Sequence, residues 1–497
     1  MKQLLISRDP GETRVALLED GKLAELYMER PGRLSMVGNI YKGRVENVLG
    51  GMDAAFVDIG LDKNGFLYVD EVMLPETAAG PATRPVAGPG TARGIKITDV
   101  LKPGKELVVQ VTRDPMGGKG PRLTTQLGLA GRHVVYLPES SISGVSRRLE
   151  PEERDRLRGL IKELRLEAGG VIVRTAAEGA DLEAVSRDLR FLQRTWGAIR
   201  RRAAEALAPA LVFTEAELAV CAVRDLLRPG FASVLVDEED LCRRVANYLR
   251  AVAPELAEKV QHFASSSSLF EAFGIEGEAR KALTRRVELP SGGHLVIDHT
   301  EAMTVIDVNT GRFVGKRFLG DTTLTTNLEA CREIMRQLRL RDIGGIIVID
   351  FIDMTSRTSR EQVVAALEAE LSRDRTKTYV VEISPLGLVE MTRQNITLGL
   401  REVMTTTCPT CRGLGVVLSE ESAALEVERG RRRLARQGAG QAAGQVLCVE
   451  LHPRVAALLL AGHSPRLKQL EAQTGVRFMI QAAEEGSPLD RLEVITS

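Results

Sequence analysis

The sequence predicts a multidomain protein built from all-β and α/β units. The chain has 497 residues, of which 44% are apolar, and this is enough for several hydrophobic cores. Residues 35–71 alternate short β-rich runs with Gly, Asn and Asp turns, a pattern typical of a small barrel. From residue 287 onward, apolar runs of strand length alternate with helical patterns. That alternation is typical of a layered α/β unit.

The first predicted unit is a barrel that residues 75–94 interrupt. This stretch is rich in Pro, Ala, Gly and Thr and almost lacks large apolar side chains, so we expect a flexible loop or insertion. The β pattern resumes with ELVVQVTRD at 106–114, which places the insertion inside the barrel unit. Helical periodicity at 151–167 and 181–207 flanks a predicted strand at 169–175, GGVIVRT. These three segments predict a compact α/β unit.

The second α/β region begins with two strands and a turn, HLVIDHTEAMTVIDVN. GGIIVIDFID and TYVVEIS predict further strands, and a helix is expected at about 322–341. On that helix Arg332, Arg336 and Arg339 lie off the apolar stripe. A linker at about 437–445, rich in Gln, Ala and Gly, precedes a final αβ piece that begins with VLCVEL.

The composition limits where the protein works and what it binds. Its 67 basic and 67 acidic residues cancel, so any polyanion site must be a local patch. Six cysteines in a chain of this length suit a reducing compartment better than a disulfide scaffold. The opening MKQLLISRDP has too short an apolar run for a signal peptide, and no later stretch approaches a membrane span. We therefore expect a cytoplasmic protein that does not enter the membrane.

Two predicted strands end in acid. VIDVN contains Asp307 and Asn309, and IIVIDFID contains Asp350 and, three residues later, Asp353. Ligand sites of open α/β domains lie at the carboxyl ends of strands, where such side chains emerge from the core. Carboxylates brought together repel each other, and a hard cation such as Mg²⁺ or Mn²⁺ relieves the repulsion. The pattern therefore predicts metal-assisted phosphoryl chemistry, with Asn309 orienting water or a phosphate oxygen. The alternative is that the aspartates only terminate strands.

Other side chains suit a polyanion ligand. Phe56 and Phe66 lie on barrel strands and could stack bases, although aromatic residues in a small barrel are also common in its core. Arg113 and Lys119 could hold phosphate, or could simply be solvated. Arg174 and Thr175 close the VIVRT strand with a guanidinium and a hydroxyl, which together suit a terminal phosphate.

The segment CPTCRGLG predicts a metal site through Cys408 and Cys411. A Cys-x-x-Cys followed by glycines is half of a zinc site, and the other four cysteines form no second pair of this kind. The simplest completion is the same pair from a second chain. A redox pair or inert thiols are the alternatives, although we find no pattern of a thioredoxin-like unit around the pair.

These stretches together resemble the ribonuclease E/G family over almost the whole chain. The similarity is most specific in five segments, which are NGFLYVDE, GVIVRTAAEG, TEAMTVIDVNTGRF, TNLEACREIMRQLRLRDIGGIIVIDFIDM and CPTCRGLG. The chain has no long Arg- and Pro-rich extension after the small domain, so it is more similar to the shorter members of the family.

The resemblance implies a role for each candidate residue. Asp307 and Asp350 match the family's metal-binding aspartates, and Asn309 matches its catalytic asparagine. Four residues match RNA-gripping positions of an S1 domain, with arginine standing where a relative carries lysine: Phe56, Phe66, Lys119 and Arg113. Four match or support a pocket for an RNA 5′-monophosphate, namely Arg174, Thr175, Val135 and Arg147. Cys408 and Cys411 match a zinc link between two protomers.

The resemblance also implies a fold for each segment of the chain. The expected parts are an RNase H-like part at 1–34, an S1-type OB barrel (RNA-binding domain) at 35–125, a 5′ sensor at 126–219, a second RNase H-like part at 220–282, a DNase I-like catalytic subdomain at 283–403, a zinc link at 404–418 and a small C-terminal αβ domain at 419–497.

The function expected from these assignments is metal-dependent hydrolysis of single-stranded, A/U-rich RNA. Because no histidine pair suggests attack by the ribose 2′-hydroxyl, the products should be a 5′-phosphate and a 3′-hydroxyl. Expected substrates are 5′-monophosphorylated rRNA precursors and mRNA, and the expected assembly is a zinc-linked homodimer or a homotetramer. The alternative hypothesis is a non-catalytic S1-type RNA-binding scaffold with structural carboxylates.

Overall fold

The computed structural model describes most of the chain as two separate units, Met1–Val403 and Met404–Ser497. The described residues are 1–32, 34–73, 96–115, 119–164, 166, 168–311, 319–384, 387–394, 399–438, 446–462, 472, 477–484 and 492–495. The predicted insertion at 75–94 and most of the predicted linker at 437–445 lie outside them. Within these ranges, no helix is both long enough and apolar enough to cross a membrane.

The first sheet joins strands from two distant parts of the chain. In spatial order they are β15 (Val260–His262), β14 (Phe231–Val236), β1 (Lys2–Asp9), β2 (Glu12–Glu19) and β3 (Lys22–Glu29). Leu4, Leu5 and Ile6 of β1 are all fully buried, so this strand is covered on both faces. The helices of this region are α4 (Leu218–Leu226), α5 (Glu239–Val252), α6 (Pro254–Ala257), α7 (Leu269–Ala272) and α8 (Ile275–Lys281). The sheet thus joins the two segments that the resemblance assigns to one subdomain.

The second sheet closes into a five-stranded barrel, as expected for an OB-like unit. Its strands are β4 (Ile40–Leu49), β5 (Ala54–Asp58), β6 (Gly65–Tyr68), β8 (Arg122–Thr124) and β7 (Glu106–Arg113). Pairing of β4 with β7 closes the barrel, and β13 (Ala210–Phe213) adds to the outer side of β4. A short helix, α1 (Ile97–Val100), precedes β7. Alternate residues point inward, as strand geometry requires, and Val45, Val57, Leu67 and Leu123 fill the interior.

The third sheet, with two helices, forms the compact α/β unit expected after the barrel. Its strands are β11 (Ser143–Val145), β12 (Gly170–Val173), β10 (Val134–Leu137) and β9 (Leu129–Ala130). The helices are α2 (Pro151–Glu163) and α3 (Leu182–Glu205). Both begin and end within a few residues of the predicted helical segments. The aliphatic side chains of these helices pack with β10 and β12 into one core.

The fourth sheet is mixed and has six strands. In order they are β16 (Arg286–Glu288), β17 (His294–His299), β18 (Met303–Asn309), β19 (Gly345–Asp350), β21 (Leu388–Arg393) and β20 (Thr378–Ile383). Only the pairing of β18 with β19 is parallel. The helices of this region are α9 (Leu319–Arg341) and α10 (Arg357–Leu371). The predicted strands are all present, and β21, which the periodicity did not single out, lies between β19 and β20.

The second unit contains the small αβ domain. Its sheet consists of β23 (Arg477–Ala482), β22 (Val446–Leu451) and β24 (Leu492–Ile495). The helices are α12 (Glu420–Gly438) and α13 (Pro453–Gly462), preceded by α11 (Leu400–Met404) where the first unit ends. Val427, Val449, Val455 and Leu459 form the core of this domain.

Candidate functional site

The two acid-ended strands bring Asp307 and Asp350 side by side. β18 and β19 are parallel neighbours, and the register pairs Ile306 with Ile349 and then Asp307 with Asp350. Directly paired residues point to the same face of a sheet. The two isoleucines are fully buried, whereas both aspartates are exposed. Burial of the paired isoleucines therefore fixes the register of the two strands, and this register places the two carboxylates next to each other at the strand ends.

The charges of this pair affect each other. Burial, followed by the negative charges of Asp307 and Asp353, raises the pKa of Asp350 above its usual value. Asn309 lies two residues beyond Asp307, on the same side of β18, and its Nδ2 donates a hydrogen bond to Asp307 Oδ2 at 2.7 Å. The amide thus orients the carboxylate of Asp307 beside that of Asp350.

A buried amide from α9 fixes the segment that follows Asp350. Asn327 has no exposed surface, and its Nδ2 donates to Ile352 O at 2.9 Å. The amide of Ile352 donates back to Asn327 Oδ1 at 3.2 Å. These two bonds hold the backbone between Asp350 and Asp353 against the helix. Sequence reasoning missed Asn327 because an asparagine within a helical pattern carries no sign of its partner.

The donor set fits a hard divalent cation. Two carboxylates and a neighbouring amide provide only oxygen ligands, which favour Mg²⁺ or Mn²⁺ over softer metals. Within the described ranges, no cluster of three or more His, Cys, Asp or Glu side chains could hold a metal ion by itself. Mg²⁺ typically takes one or two carboxylates and completes its coordination with water and phosphate oxygens, so a pair is sufficient.

Four paired side chains form a row across the barrel, which we call the barrel row. Phe56 pairs with Phe66, Phe66 with Arg122, and Arg122 with Arg113, so each of four adjacent strands contributes one residue. Their neighbours along the strands fill the barrel interior: Ala55, Val57, Leu67 and Leu123. Phe56 and Phe66 are only partly buried. The two phenylalanines therefore lie on the outer face of the barrel wall, outside the cluster that fills its interior.

Tyr68 extends the aromatic part of the barrel row. The ring centroids of Phe56 and Phe66 are 5.4 Å apart, and those of Phe66 and Tyr68 are 4.5 Å apart, both edge to face. The guanidinium carbon of Arg122 lies 4.9 Å from the centre of the Tyr68 ring. Tyr68 follows Phe66 by two residues, so the two side chains lie on the same face of β6. This spacing could have identified Tyr68 from the sequence. Arg122 could be found only from the closure of the barrel.

Lys119 lies at the edge of the same surface and is exposed. The backbone N–H of Phe66 donates to Pro121 O at 2.8 Å, which places the segment containing Lys119 beside β6. Gly120 permits this approach, because a Cβ at that position would lie 1.9 Å from Asn64 O. The barrel row and Lys119 thus form one outward surface of aromatic rings and cations.

Arg174, Thr175 and Val135 lie at one end of the third sheet. Val135 pairs with Ile172 on β12, and Arg174 follows two residues later on the same side of that strand. The N–H of Arg174 donates to His133 O at 2.8 Å, which extends the pairing beyond the end of β12. Thr175 begins a turn of 3₁₀ helix that Arg174 precedes. We call this group the Arg174 pocket.

Arg147 follows the end of β11, beside the Arg174 pocket. β11 and β12 are parallel, with Val145 paired to Val173, and the N–H of Ser146 donates to Val173 O at 2.9 Å. Arg147 and Arg174 therefore follow adjacent strands at the same end of the sheet. The side chain of Arg147 is exposed.

The guanidinium of Arg174 is held by two acceptors that sequence reasoning missed. Its Nη2 lies 2.6 Å from Asp225 Oδ1, and its Nη1 donates to Gly131 O. The turn between β9 and β10, which contains Gly131, is itself fixed by Asp188, which is completely buried and accepts the N–H groups of His133 and Val134 at 2.7 and 3.1 Å. No local pattern could reveal the two acceptors of Arg174, because Gly131 is 43 residues and Asp225 is 51 residues away in the chain.

Cys408 and Cys411 form a tight turn in the second unit. The N–H of Arg412 donates to Cys408 O and that of Leu414 to Cys411 O, both at 2.8 Å. Hydrogen bonds from the backbone N–H groups of Cys411 and Thr410 lower the pKa of the exposed Cys408 thiol. A lowered pKa increases the thiolate fraction, the form that binds metal or reacts with disulfides. Four large apolar side chains beyond the turn are exposed: Leu414, Val416, Val417 and Leu418.

Two family models match the chain. One, described as the ribonuclease E/G family, matches residues 128–396, and the other, described as the thioredoxin-like domain of RNase E/G, matches residues 407–491. The second match includes Cys408 and Cys411, so our expectation that no thioredoxin-like unit contains them is wrong. The pair precedes α12 and all three strands of the small sheet, and for this reason local periodicity did not connect it with that domain.

The chain is also similar to curated ribonucleases. It is 41% identical to ribonuclease G of Escherichia coli (strain K12) over 484 residues, which are 96% of each chain. It is 40% identical to ribonuclease G of Haemophilus influenzae over 428 residues, 86% of each chain. Identity to ribonuclease E of Escherichia coli (strain K12) is 38% over 435 residues, which are 86% of this chain and 40% of that protein. The expected similarity to the shorter relatives is confirmed.

Proposed function

Because the chain belongs to the ribonuclease E/G family, we propose that it is an endoribonuclease that hydrolyses single-stranded RNA with a divalent metal. The observation that carries the proposal is the register pairing of Asp307 with Asp350 on β18 and β19. A passive RNA-binding protein has no need for two adjacent carboxylates at a site where burial and the neighbouring negative charges raise the pKa of Asp350.

In this proposal Asp307 and Asp350 hold Mg²⁺ or Mn²⁺, and Asn309 fixes the orientation of Asp307. The bound cation would polarise the phosphate and lower the pKa of an attacking water. Asn327 keeps the backbone after Asp350 in place, so the spacing of the carboxylates is preserved while RNA binds. Attack by water yields a 5′-phosphate and a 3′-hydroxyl.

The barrel row and Lys119 would bind the RNA strand. Partly exposed aromatic rings offer stacking surfaces for bases of any sequence, and Arg113, Arg122 and Lys119 can contact phosphates. This surface suits unpaired RNA, whose bases are free to stack on aromatic rings. We propose A/U-rich segments of rRNA precursors and mRNA as substrates, in rRNA maturation and mRNA decay.

The Arg174 pocket would bind the 5′ end of the substrate. Arg174 and Thr175 provide a guanidinium and a hydroxyl, while Arg147 leaves the neighbouring strand at the same end. A guanidinium binds phosphate oxygens through charged hydrogen bonds in fixed directions. We propose that RNA with a 5′-monophosphate is cleaved faster than RNA with another 5′ end.

We further propose a homodimer in which Cys408 and Cys411 of two chains share one Zn²⁺, with a homotetramer as the larger alternative. Four thiolates form a complete tetrahedral zinc site, whereas one chain supplies two. The exposed apolar side chains from Leu414 to Leu418 support an adjacent protein contact. All six cysteines are free thiols, which supports a cytoplasmic location.

The deciding experiment measures cleavage of a labelled single-stranded RNA with Mg²⁺, with EDTA, and after Mg²⁺ is restored. We expect cleavage only when Mg²⁺ is present, with products that carry a 5′-phosphate and a 3′-hydroxyl. Cleavage that resists EDTA, or a cyclic 2′,3′-phosphate product, contradicts the proposed chemistry. Tight RNA binding without cleavage at any metal concentration supports instead the non-catalytic scaffold.

A further inference from the structure

Asp225 lies between two arginines at the end of α4. Its Oδ1 is 2.6 Å from Arg174 Nη2 and also accepts Arg224 Nε at 3.2 Å, while its Oδ2 accepts Arg224 Nη2 at 3.1 Å. Arg224 is anchored in turn, because its Nη1 contacts Glu215 Oε1 at 2.8 Å and Ala130 O at 3.2 Å. The result is an alternating ionic chain from Glu215 to Arg174 that is only partly exposed to solvent.

Asp225 and Gly131 together fix the plane of the Arg174 guanidinium. A guanidinium has five N–H donors, and these two acceptors occupy one donor on each terminal nitrogen. Three donors remain for a ligand. A long arginine side chain that is already ordered loses less conformational entropy when it binds a phosphate, so its affinity is higher than that of a freely moving one.

The carboxylate of Asp225 is ionised at neutral pH. Burial alone would raise its pKa, but the positive charges of Arg224 and Arg174 and their hydrogen bonds lower it below the usual value. The backbone around Gly131 is also rigid, since Asp188 accepts the N–H groups of His133 and Val134. Moreover, a Cβ on Gly131 would lie 2.5 Å from Asp188 Oδ2, so this position admits only glycine without rearrangement.

We propose that Asp225 is a positioning residue that presents the guanidinium of Arg174 to the 5′-phosphate of RNA and thereby sets the preference for 5′-monophosphorylated substrates. This inference rests on the proposed role of the Arg174 pocket. It assigns a 5′-end function to a residue of α4, outside the sheet that carries the pocket. If the ion pair between α4 and that sheet were purely structural, its loss would change the cleavage of all substrates equally.

The test compares one RNA sequence bearing either a 5′-monophosphate or a 5′-hydroxyl, with kcat and KM measured separately. Asp225→Ala should raise KM for the monophosphorylated RNA about tenfold and change KM for the hydroxyl RNA less than about twofold, as expected for the loss of a charged hydrogen-bond partner. Asp225→Asn should have a smaller effect, because its amide oxygen still accepts from Arg174. Glu217→Gln is the control, since Glu217 also neighbours α4 but pairs with Arg8 and Arg244.

Arg174→Ala tests the role of the Arg174 pocket as a 5′ sensor separately from the positioning role of Asp225. If it leaves the preference for the 5′-monophosphate intact, the Arg174 pocket is not a 5′ sensor, and both the sensor and the role of Asp225 are refuted. If Arg174→Ala abolishes the preference but both Asp225 variants retain it, only the inference about Asp225 fails. Equal losses on both RNAs in Asp225→Ala and Asp225→Asn would assign Asp225 a structural role, and thermal unfolding of each variant would show the same defect.

Discussion

Asp307 and Asp350 occupy equivalent register positions on two adjacent parallel strands, directly after a pair of fully buried isoleucines. A slip of one residue between β18 and β19 would place these isoleucines in water and both carboxylates in the core. The hydrophobic core thus enforces the pairing of the carboxylates. Folding energy keeps two like charges adjacent, an arrangement that a bound divalent cation would stabilise.

Asp307→Asn and Asp350→Asn should each abolish RNA cleavage and leave RNA binding nearly unchanged. Each substitution would remove one of the two carboxylates that hold the proposed cation, while the barrel row and Lys119 remain. Cleavage rate and RNA affinity are measured on the same protein sample. Asp298→Asn is a suitable control, because Asp298 lies on β17 of the same sheet and pairs with Arg285. Full activity of either aspartate variant at saturating Mg²⁺ would refute the metal assignment.

The fourth sheet shows how far the sequence could predict this site. Each acid-ended strand was recognisable, since apolar runs ending in acid stand out locally. That Asp307 and Asp350 are register partners depends on the connection through α9, and the insertion of β21 between β19 and β20 depends on pairing between distant segments. The pairing of distant strands depends on how the whole domain packs, and the local periodicity of apolar residues does not predict it.

Charged contacts between subdomains were equally hidden. Helical periodicity places Arg339 off the apolar stripe of α9, a position that suggests a solvated residue. In the structure its side chain is only 11% exposed and contacts Glu19 of β2 and Glu25 of β3. The partners are more than 300 residues away, so the sequence of α9 contains no sign of them. The same reason explains why Asp225 was missed beside Arg174.

Tyr68→Ala should weaken binding of single-stranded RNA about tenfold, similar to the effect of Phe66→Ala, because each ring can stack one base. Tyr68 contacts Phe66 and Arg122 on the outer surface of the barrel. The measurement is RNA affinity by fluorescence anisotropy. Tyr379→Ala provides the control, since Tyr379 is an exposed aromatic residue on β20, away from the barrel. Equal affinity of Tyr68→Ala and wild type would remove Tyr68 from the RNA surface.

Glu25→Gln should lower the free energy of unfolding by about 1 to 3 kcal/mol, because it removes one of the two carboxylates that pair with the nearly buried Arg339 and leaves only Glu19. Glu25 contacts both Arg339 and Arg375 and accepts the Tyr27 hydroxyl at 2.6 Å. Urea denaturation gives the difference from wild type. In the control Glu183→Gln, an exposed pair with Arg187 is lost, and the change should not exceed about 0.5 kcal/mol. Similar effects of the two substitutions would contradict a stabilising role for the Glu25 contacts.

Cys408→Ser should halve the molecular mass in solution and remove bound zinc, if two chains share one ion. Wild-type protein should contain about half a zinc per chain, since four thiolates complete one site. Light scattering and metal analysis test both points. Cys448→Ser is the matched control, because Cys448 is a partly buried thiol of the same unit. A zinc-free wild-type protein in which Cys408 and Cys411 form a reversible disulfide would favour the redox pair instead.

Acid should destabilise the protein through His133. Burial, followed by the positive charges of Arg132 and Arg228, lowers the pKa of His133 from 6.5 to about 4. Between these two pH values the unfolded chain binds a proton that the folded chain excludes. The stability associated with neutral His133 is therefore fully present above pH 6.5 and is lost as the pH falls towards 4, by up to about 3 kcal/mol.

In His133→Gln this proton uptake is absent, so the midpoint of thermal unfolding should fall less between pH 6.5 and pH 4 than it does in wild type. The backbone N–H of residue 133 still donates to Asp188, and the strand below the Arg174 pocket therefore keeps its anchor. His262→Gln, at an exposed histidine on β15, should retain the wild-type pH dependence. If the curves for His133→Gln and wild type are parallel across this range, His133 does not contribute to acid sensitivity.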